Sequence, residues 1–341
     1  MNFEPKNVLV TGSAGFIGCN YLRYVMQQNK LQKIISLDNL GFAGSEKNLQ
    51  NLSKAIPHEF IKGDICDSPL VTKILQDHSI DTIVHFAAES HVDRSISGPG
   101  EFIQSNIVGT FTLLEAARNV WVIDKNWGME NCRFHHISTD EVYGSLKPED
   151  PAFTEESLYK PNSPYSASKA GSDHLVRSYF HTYGLPVTTT NCSNNYGPYQ
   201  HSEKFIPTVI RSCLSHSEIP IYGDGSNIRD WLYVDDHCDA IDKVIRFGKL
   251  GETYNVGGDN EWSNNDIAKV ICNVLDELVP WEKPYSTLMT FVPDRLGHDW
   301  RYAINGKKLV TELNWKASLQ FEEGIKKTIS WYLENPIYLE K

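Results

Sequence analysis

Val8-Leu9-Val10-Thr11-Gly12-Ser13-Ala14-Gly15-Phe16-Ile17-Gly18 decides how this 341-residue chain is read. A short apolar run ends in three glycines, and a helical pattern follows over 16–28. Glycines at 12, 15 and 18 permit a tight turn and let backbone approach a pyrophosphate, whose charge would sit at the start of the helix. The spacing is G-x-x-G-x-x-G rather than G-x-G-x-x-G, so the context carries the argument. A strand over 7–10 precedes it, a helix follows, and an acid, Asp38, ends a second strand over 33–37. A carboxylate there accepts from ribose hydroxyls and repels a 2′-phosphate, which points to NAD over NADP. The plain alternative is a glycine-rich turn that binds nothing.

Outward from this turn the rhythm repeats. Strands are predicted over 7–10, 33–37, 59–61, 82–85, 133–137 and 187–191, and helices over 16–28, 69–77, 101–118 and 165–183. In helix 101–118, Phe102, Ile103, Ile107, Phe111, Leu114 and Ala117 form the expected buried stripe. Strands alternating with helices imply right-handed βαβ units and an α/β fold, a doubly wound parallel sheet of Rossmann type, over 1–191. After Asn191 the chain becomes turn-rich at 194–197, 223–227 and 257–260. The expectation for 192–341 is a smaller C-terminal substrate-binding lobe, with chain crossing back to the sheet. Asp64 and Ile65 follow the third strand, where an adenine edge would lie. Phe86, Ala87 and Ala88 follow the fourth, and small residues there leave room for a cofactor.

Lys and Arg number 32 against 43 Asp and Glu, a net charge of −11. That argues against a nucleic-acid footprint or a polybasic membrane patch. No apolar run approaches the ~20 residues of a membrane helix, and no secretory leader pattern opens the sequence. Seven scattered cysteines without a C-x-x-C pair read as reduced thiols of a cytoplasmic protein.

Tyr165 and Lys169 stand four apart at the start of a helix, on one face. An ammonium beside a phenol stabilises phenolate and lowers its pKa. On its own such a pair is more often a solvated surface feature; behind a dinucleotide cradle it points to proton transfer. Ser138-Thr139-Asp140-Glu141 end the fifth strand, where ligands bind in such sheets. Two adjacent carboxyls there can hold different protonation states, one acid and one base. His135-His136 and Asp235-Asp236-His237 resemble ligand pairs only superficially, and no metal site is expected.

The motifs TGSAGFIG (11–18), AAESHVDRS (87–95), STDEVYG (138–144), YSASKA (165–170), NNYGP (194–198), IRDWLYVDDH (228–237) and DRLGHD (294–299) occur in order over nearly the whole chain. Together they resemble the extended short-chain dehydrogenase/reductases, and within them the dTDP-glucose 4,6-dehydratases. The Thr-Asp-Glu triplet discriminates. The family's sugar epimerases carry no such acid pair, GDP-mannose dehydratases show Thr-Ser-Glu, and inverting UDP-N-acetylglucosamine dehydratases show Asp-Lys.

The resemblance implies roles residue by residue. Thr139, Tyr165 and Lys169 form the oxidoreductase set, Asp140 is the acid and Glu141 the base. NAD is expected against Gly12, Gly15, Phe16, Ile17, Gly18, Asp38, Asn39, Leu40, Asp64, Ile65, Phe86, Ala87, Ala88, Glu89, Ser90, Ser105, Tyr165, Lys169 and Asn195. A nucleotide sugar, dTDP-glucose, is expected against Ser90, Thr139, Asn194, Lys204, Phe205, Pro220, Ile221, Tyr222, Arg229, Asn264, Asp294, Arg295, Leu296, Gly297 and His298. Arg301 adds a further cation to that lobe. Leu296 departs from the family's proline in D-R-P-G-H, which bears on the stiffness of that loop.

The implied product is a 4-keto-6-deoxyhexose for deoxysugar (rhamnose-type) biosynthesis, formed with no net redox. A homodimer through helices 101–118 and 165–183 is the implied assembly. The alternatives are a UDP-sugar 4,6-dehydratase or 4-epimerase, and a non-catalytic NAD-sensing protein.

Overall fold

The computed structural model describes residues 2–294 and 297–340. Its N-terminal part runs β1 (Asn7–Thr11), α1 (Phe16–Gln28), β2 (Lys33–Asp38), β3 (His58–Lys62), α2 (Ser68–Asp77) and β4 (Thr82–His85). Then come α3 (Val92–Ser97), α4 (Pro99–Phe102), α5 (Thr110–Ala117), β5 (Arg133–Thr139), α6 (Pro164–Tyr183) and β6 (Val187–Cys192). The remaining chain forms β7 (Asn194–Tyr196), α7 (Phe205–Leu214), β8 (Ile219–Tyr222), β9 (Ile228–Tyr233), α8 (Val234–Phe247) and β10 (Thr253–Val256). It closes with β11 (Glu261–Ser263), α9 (Asn264–Leu278), β12 (Met289–Val292), α10 (Lys307–Leu313) and α11 (Phe321–Glu334).

Seven strands pair in the order β10-β6-β5-β4-β1-β2-β3, all parallel. The period of two along β1 decides which core each side chain joins. Val8 and Val10 pack with Leu22, Val25 and Ile241 under α1 and α8. Leu9 turns the other way, into the core with Val71, Leu114, Phe134 and Val176 under α2, α5 and α6. Helices on both faces explain why β4, β5 and β6 are buried along their whole length. Chain order reverses between β1 and β4, which opens a crevice beyond the carboxyl ends of those strands.

The region predicted as one helix over 101–118 is interrupted. π-Helical turns occupy Ile103–Gly109 and Arg118–Asp124, on either side of α5. Phe102, Leu114 and Ala117 are buried as expected, but Ile103 and Phe111 are 47% and 46% exposed. A π-turn holds more residues than an α-turn, so a stripe counted at 3.6 residues per turn loses phase across it.

Helix α6 is sharply bounded. Ser163 and Ser166 form a reciprocal cap, Pro164 opens the first turn, and Gly184 ends the helix at φ 69°. The second lobe has its own core of Ile206, Ile210, Ile221, Ile271, Phe321 and Ile329. Two small sheets support it, β11-β9-β7 and β12-β8. The chain nevertheless returns from this lobe to the large sheet, through α8 against α1, through β10 beside β6 and through α10 against β10.

Candidate active site

The glycine cradle is built by close packing. At Gly12, φ is +68°, and a Cβ there would stand 2.5 Å from the Ala87 nitrogen. A Cβ on Gly18 would meet the Gly12 carbonyl oxygen at 2.2 Å. The β1–α1 turn is therefore pressed onto the end of β4, and no side chain caps α1. Its first N–H groups are left for a ligand. Asp38 closes the cradle: Oδ2 accepts from Ala14 N at 2.9 Å and Oδ1 from Leu40 N at 2.8 Å. Burial pushes this carboxyl above the usual range, and the two N–H donors oppose that shift.

One cleft of about 510 Å³ runs from this cradle to the second lobe. Gly12, Gly15, Phe16, Ile17, Gly18, Asp38, Asn39, Ile65, Phe86, Ala87, Ala88, Glu89, Ser90 and Ser105 line one end. Leu40 is off this wall and serves Asp38 through its N–H. Asp64 is also off the wall; it is exposed, and its carboxylate accepts from Cys66 N at 2.8 Å. A residue not anticipated from sequence, Asn106, fixes the β4 end. Its Oδ1 accepts from Glu89 N at 2.8 Å, and its Nδ2 donates to Glu89 O at 3.0 Å and Ser168 Oγ at 2.8 Å. A polar run, Gln104-Ser105-Asn106, inside the predicted apolar stripe was the available signal.

Thr139, Asp140, Glu141, Tyr165 and Lys169 come together at the middle of the cleft. The Thr139 hydroxyl donates to Asp140 Oδ1 and accepts from Glu141 N, both at 3.3 Å. Burial drives the Asp140 carboxyl well above the usual range, and the charges of Glu141 and Asp230 add to the shift. That direction favours the protonated form, the one an acid needs. Asp230 is itself pushed up to about 6 by burial, against N–H donors from Asn260 and Gly258.

The expectation that Lys169 lowers the Tyr165 phenol is not met by the geometry. Burial first, and the Glu141 charge second, raise Tyr165 well above its ordinary value. The Lys169 ammonium instead donates to the Ile137 carbonyl at 2.6 Å. Four-residue spacing puts both side chains on one face, but the long lysine stem reaches back along β5.

Asn194, Asn195, Lys204, Phe205, Pro220, Tyr222, Arg229, Asn264 and His298 complete the other end. Asn195 is oriented by His237, whose Nδ1 lies 2.9 Å from its Oδ1, and the Lys204 ammonium donates to Ser90 O at 3.2 Å. Ile221 is a correction: on β8, Pro220 and Tyr222 face outward while Ile219 and Ile221 are buried. Strand alternation puts the Ile221 side chain in the lobe core. Asp294 and Gly297 do not form the wall; Asp294 Oδ1 lies 2.6 Å from His298 Nδ1. Arg295 and Leu296 lie outside the described residues.

The Arg229 guanidinium donates to the carbonyls of Ile228, Asp299 and Trp300 and sits 4.4 Å over the Tyr302 ring. It braces the wall as well as forming it. Arg301 is a brace, bidentate to Glu261 at 2.6 and 2.8 Å. Phe42, His91, His201, Trp231 and Tyr302 also line the cleft without having been anticipated, because nothing local marks them as facing it. Among the described residues, no group of three or more His, Cys, Asp or Glu gathers as a metal site. His135 lies between Thr188 and Thr190, and His136 beside Asp173.

A family model described as GDP-mannose 4,6 dehydratase matches residues 9–328. The chain belongs to this family of the extended short-chain dehydrogenase/reductases.

Within the family its relatives narrow further. It is 51% identical over 341 residues to dTDP-glucose 4,6-dehydratase 1 of Escherichia coli (strain K12), covering 98% of this chain and 94% of that one. It is 52% identical over 334 residues to the dTDP-glucose 4,6-dehydratase of Xanthomonas campestris pv. campestris, covering 97% and 94%. Among solved structures it is similar to DesIV, the dTDP-glucose 4,6-dehydratase of Streptomyces venezuelae, which holds NAD and dTDP. That match has TM-score 0.88 and 42% identity, and covers 98% of this chain and 99% of that one. A UDP-glucose 4-epimerase of Thermotoga maritima aligns over 97% and 99% of the two chains at TM-score 0.83, but with 26% identity. The dehydratases are the nearer group, and the acid pair Asp140-Glu141 agrees with them.

Proposed function

We propose that this chain removes water from dTDP-glucose to give dTDP-4-keto-6-deoxyglucose. The observation that carries the reading is the buried Asp140, its carboxyl pushed well above the usual range by burial, next to Glu141 and gathered with Tyr165 and Lys169 in one cleft. The cradle fits NAD: the Cβ clashes at Gly12 and Gly18 leave space only for glycine beside uncapped N–H groups, and Asp38 ends β2 within reach of a ribose. When bound, NAD supplies the hydride acceptor at C4 and the hydride donor at C6.

The chain's own residues move the protons. Tyr165 takes the proton of the sugar 4-hydroxyl as phenolate, a form that its burial opposes and that the positive charge brought by NAD would favour. The 4-ketone acidifies C5, and Glu141 removes the C5 proton and later returns one. Asp140 protonates the leaving 6-oxygen, so that water departs rather than hydroxide. The proton gained by Tyr165 balances the one given by Asp140, and the sugar loses one water with no net redox. Thr139 orders Asp140 and Glu141 through its hydroxyl. The second lobe grips the nucleotide: Lys204, Arg229 and His298 suit the diphosphate, and Tyr222, 43% exposed on the cleft wall, suits the base.

Two further readings accompany this one. A homodimer is supported by Ile103 and Phe111, large apolar side chains left exposed beside α6. A cytoplasmic setting is supported by seven free cysteines. No described helix is long and apolar enough to cross a membrane. The product would feed deoxysugar (rhamnose-type) biosynthesis.

Assays with dTDP-glucose and UDP-glucose side by side, followed by product mass, test the reading. Loss of one water from dTDP-glucose is expected, and a C4 epimer of unchanged mass would refute it. Sedimentation of wild type and Phe111→Lys tests the dimer, which a monomeric wild type excludes.

A further inference from the structure

Tyr165, Lys169 and Asp173 follow one another at intervals of four along α6. The proton steps above run through Tyr165, and Lys169, on the same helix face, belongs with it to the set expected to carry the oxidation. Asp173 is buried, and both of its oxygens are engaged. Oδ1 lies 3.0 Å from His136 Nε2, while Oδ2 accepts from the Ser138 hydroxyl at 2.8 Å and the Tyr159 hydroxyl at 3.0 Å. Between His136 and Ser138 stands Ile137, whose carbonyl accepts from the Lys169 ammonium at 2.6 Å. Three consecutive residues of β5 are thus tied to α6 by Asp173 and Lys169. The next three residues are Thr139, Asp140 and Glu141.

We propose that Asp173 is a positioning residue for the dehydration: it supplies the counter-charge to the buried Lys169 and pins the strand end that carries the acid pair. This deepens the dehydratase reading and rests on it. An ammonium in an apolar interior sheds its proton unless a negative group stands near. The groups that face Lys169 are few. From α6 comes Asp173, from the end of β6 the Cys192 thiol, and from β5 and β4 the His136 and His85 imidazoles. Burial pushes Cys192 up to about 12, so it stays a neutral thiol, and burial lowers both histidines, which stay neutral. The carboxylate of Asp173 is the member of this set that opposes the loss of the Lys169 proton.

The sign of the effect follows. Burial already lowers Lys169, so removing the Asp173 charge lowers it further, and the ammonium is lost at lower pH. The test is kcat against pH for the NAD-loaded enzyme with dTDP-glucose, from about pH 6 to pH 10. Asp173→Asn keeps the shape and removes the charge; Asp173→Ser is a second neutral variant should the first fold poorly. In both, the basic limb is expected to move down by about one pH unit or more, with KM changed by less than about twofold. Tyr159→Phe deletes a hydrogen bond to Asp173 but leaves the charge, so its limb should stay with wild type. Neutral variants whose limb overlays wild type, or a Tyr159→Phe limb that moves as far as theirs, would overturn the proposal while wild-type turnover leaves the dehydratase reading standing. Wild-type protein that does not consume dTDP-glucose would sink both.

Discussion

The two walls of the cleft are built in opposite ways. On the sheet side, Thr139, Asp140, Tyr165 and Lys169 are buried groups on a strand end and a capped helix, each held by backbone or by a neighbour. On the lobe side, Tyr222 projects from a two-stranded sheet, and Lys204 and His298 sit on loops. Burial is what shifts the acids and bases, so chemistry belongs where the fold is most enclosed. Recognition of a large charged nucleotide needs area and reach instead, which strand edges and loops provide.

This contrast can be broken experimentally, and the acid pair gives the largest effect. Glu141→Gln should retain oxidation at C4 but stop exchange of the C5 hydrogen with solvent. Asp140→Asn should keep oxidation and some exchange yet slow elimination by about 10²–10⁴-fold. Stopped-flow absorbance of reduced nicotinamide beside solvent-deuterium exchange separates the two. Identical behaviour of both variants would mean that the carboxyls only shape the turn.

On the lobe side the expected change is in KM. Tyr222→Ala removes an exposed ring that meets His298 edge-on with centroids 6.4 Å apart. KM for dTDP-glucose should rise about tenfold with kcat within about twofold, as for an interaction made equally in ground and transition states. A fall in kcat without change in KM would place this ring in the chemistry. Asp38→Ala should narrow the preference for NAD over NADP by a similar factor of about ten, read as the ratio of the two dissociation constants. An unchanged ratio would separate Asp38 from the ribose.

The smallest effect concerns stability, and it should again fall on the sheet side. His85, His135 and His136 are fully enclosed by the sheet and its helices, and burial lowers all three below the ordinary histidine value of 6.5. Between their folded values and 6.5 the unfolded chain binds more protons, so their contribution to stability is present above that value and is lost as pH falls. Each such histidine steepens the loss by at most about 1.4 kcal/mol per pH unit. Raised carboxyls act with the opposite sign, Asp230 between its ordinary 3.8 and about 6. The clean measurement is therefore a difference: urea titrations of wild type and His135→Gln from about pH 7 to pH 5 should diverge by roughly one proton's slope. Parallel slopes would show that His135 is protonated in the folded protein.

Much of the sheet side was legible because its signals are local. Strand β4 over Thr82–His85 and helix α1 over Phe16–Gln28 follow from apolar runs, a period near 3.6 and a glycine turn. The acid pair and the Tyr-Lys spacing could also be read directly. The helical region at 101–124 could not, because nothing in the spacing of apolar residues announces a π-turn, and Ile103 and Phe111, counted in the stripe, are exposed.

By itself, then, the sequence determined a parallel α/β sheet, a glycine cradle followed by its acid, and the acid pair and Tyr-Lys pair proposed to react; each is announced by a local motif. Tertiary structure alone decided the rest. It sent Lys169 to the Ile137 carbonyl, buried Asp140 and so raised its carboxyl, with Glu141 and Asp230 adding to the shift, turned Ile221 into the lobe core, and brought Asn195 beside His237. It also returned β10 to the edge of the sheet. Each depends on segments far apart in the chain, where burial, not spacing, fixes the direction of a side chain and the charge it carries.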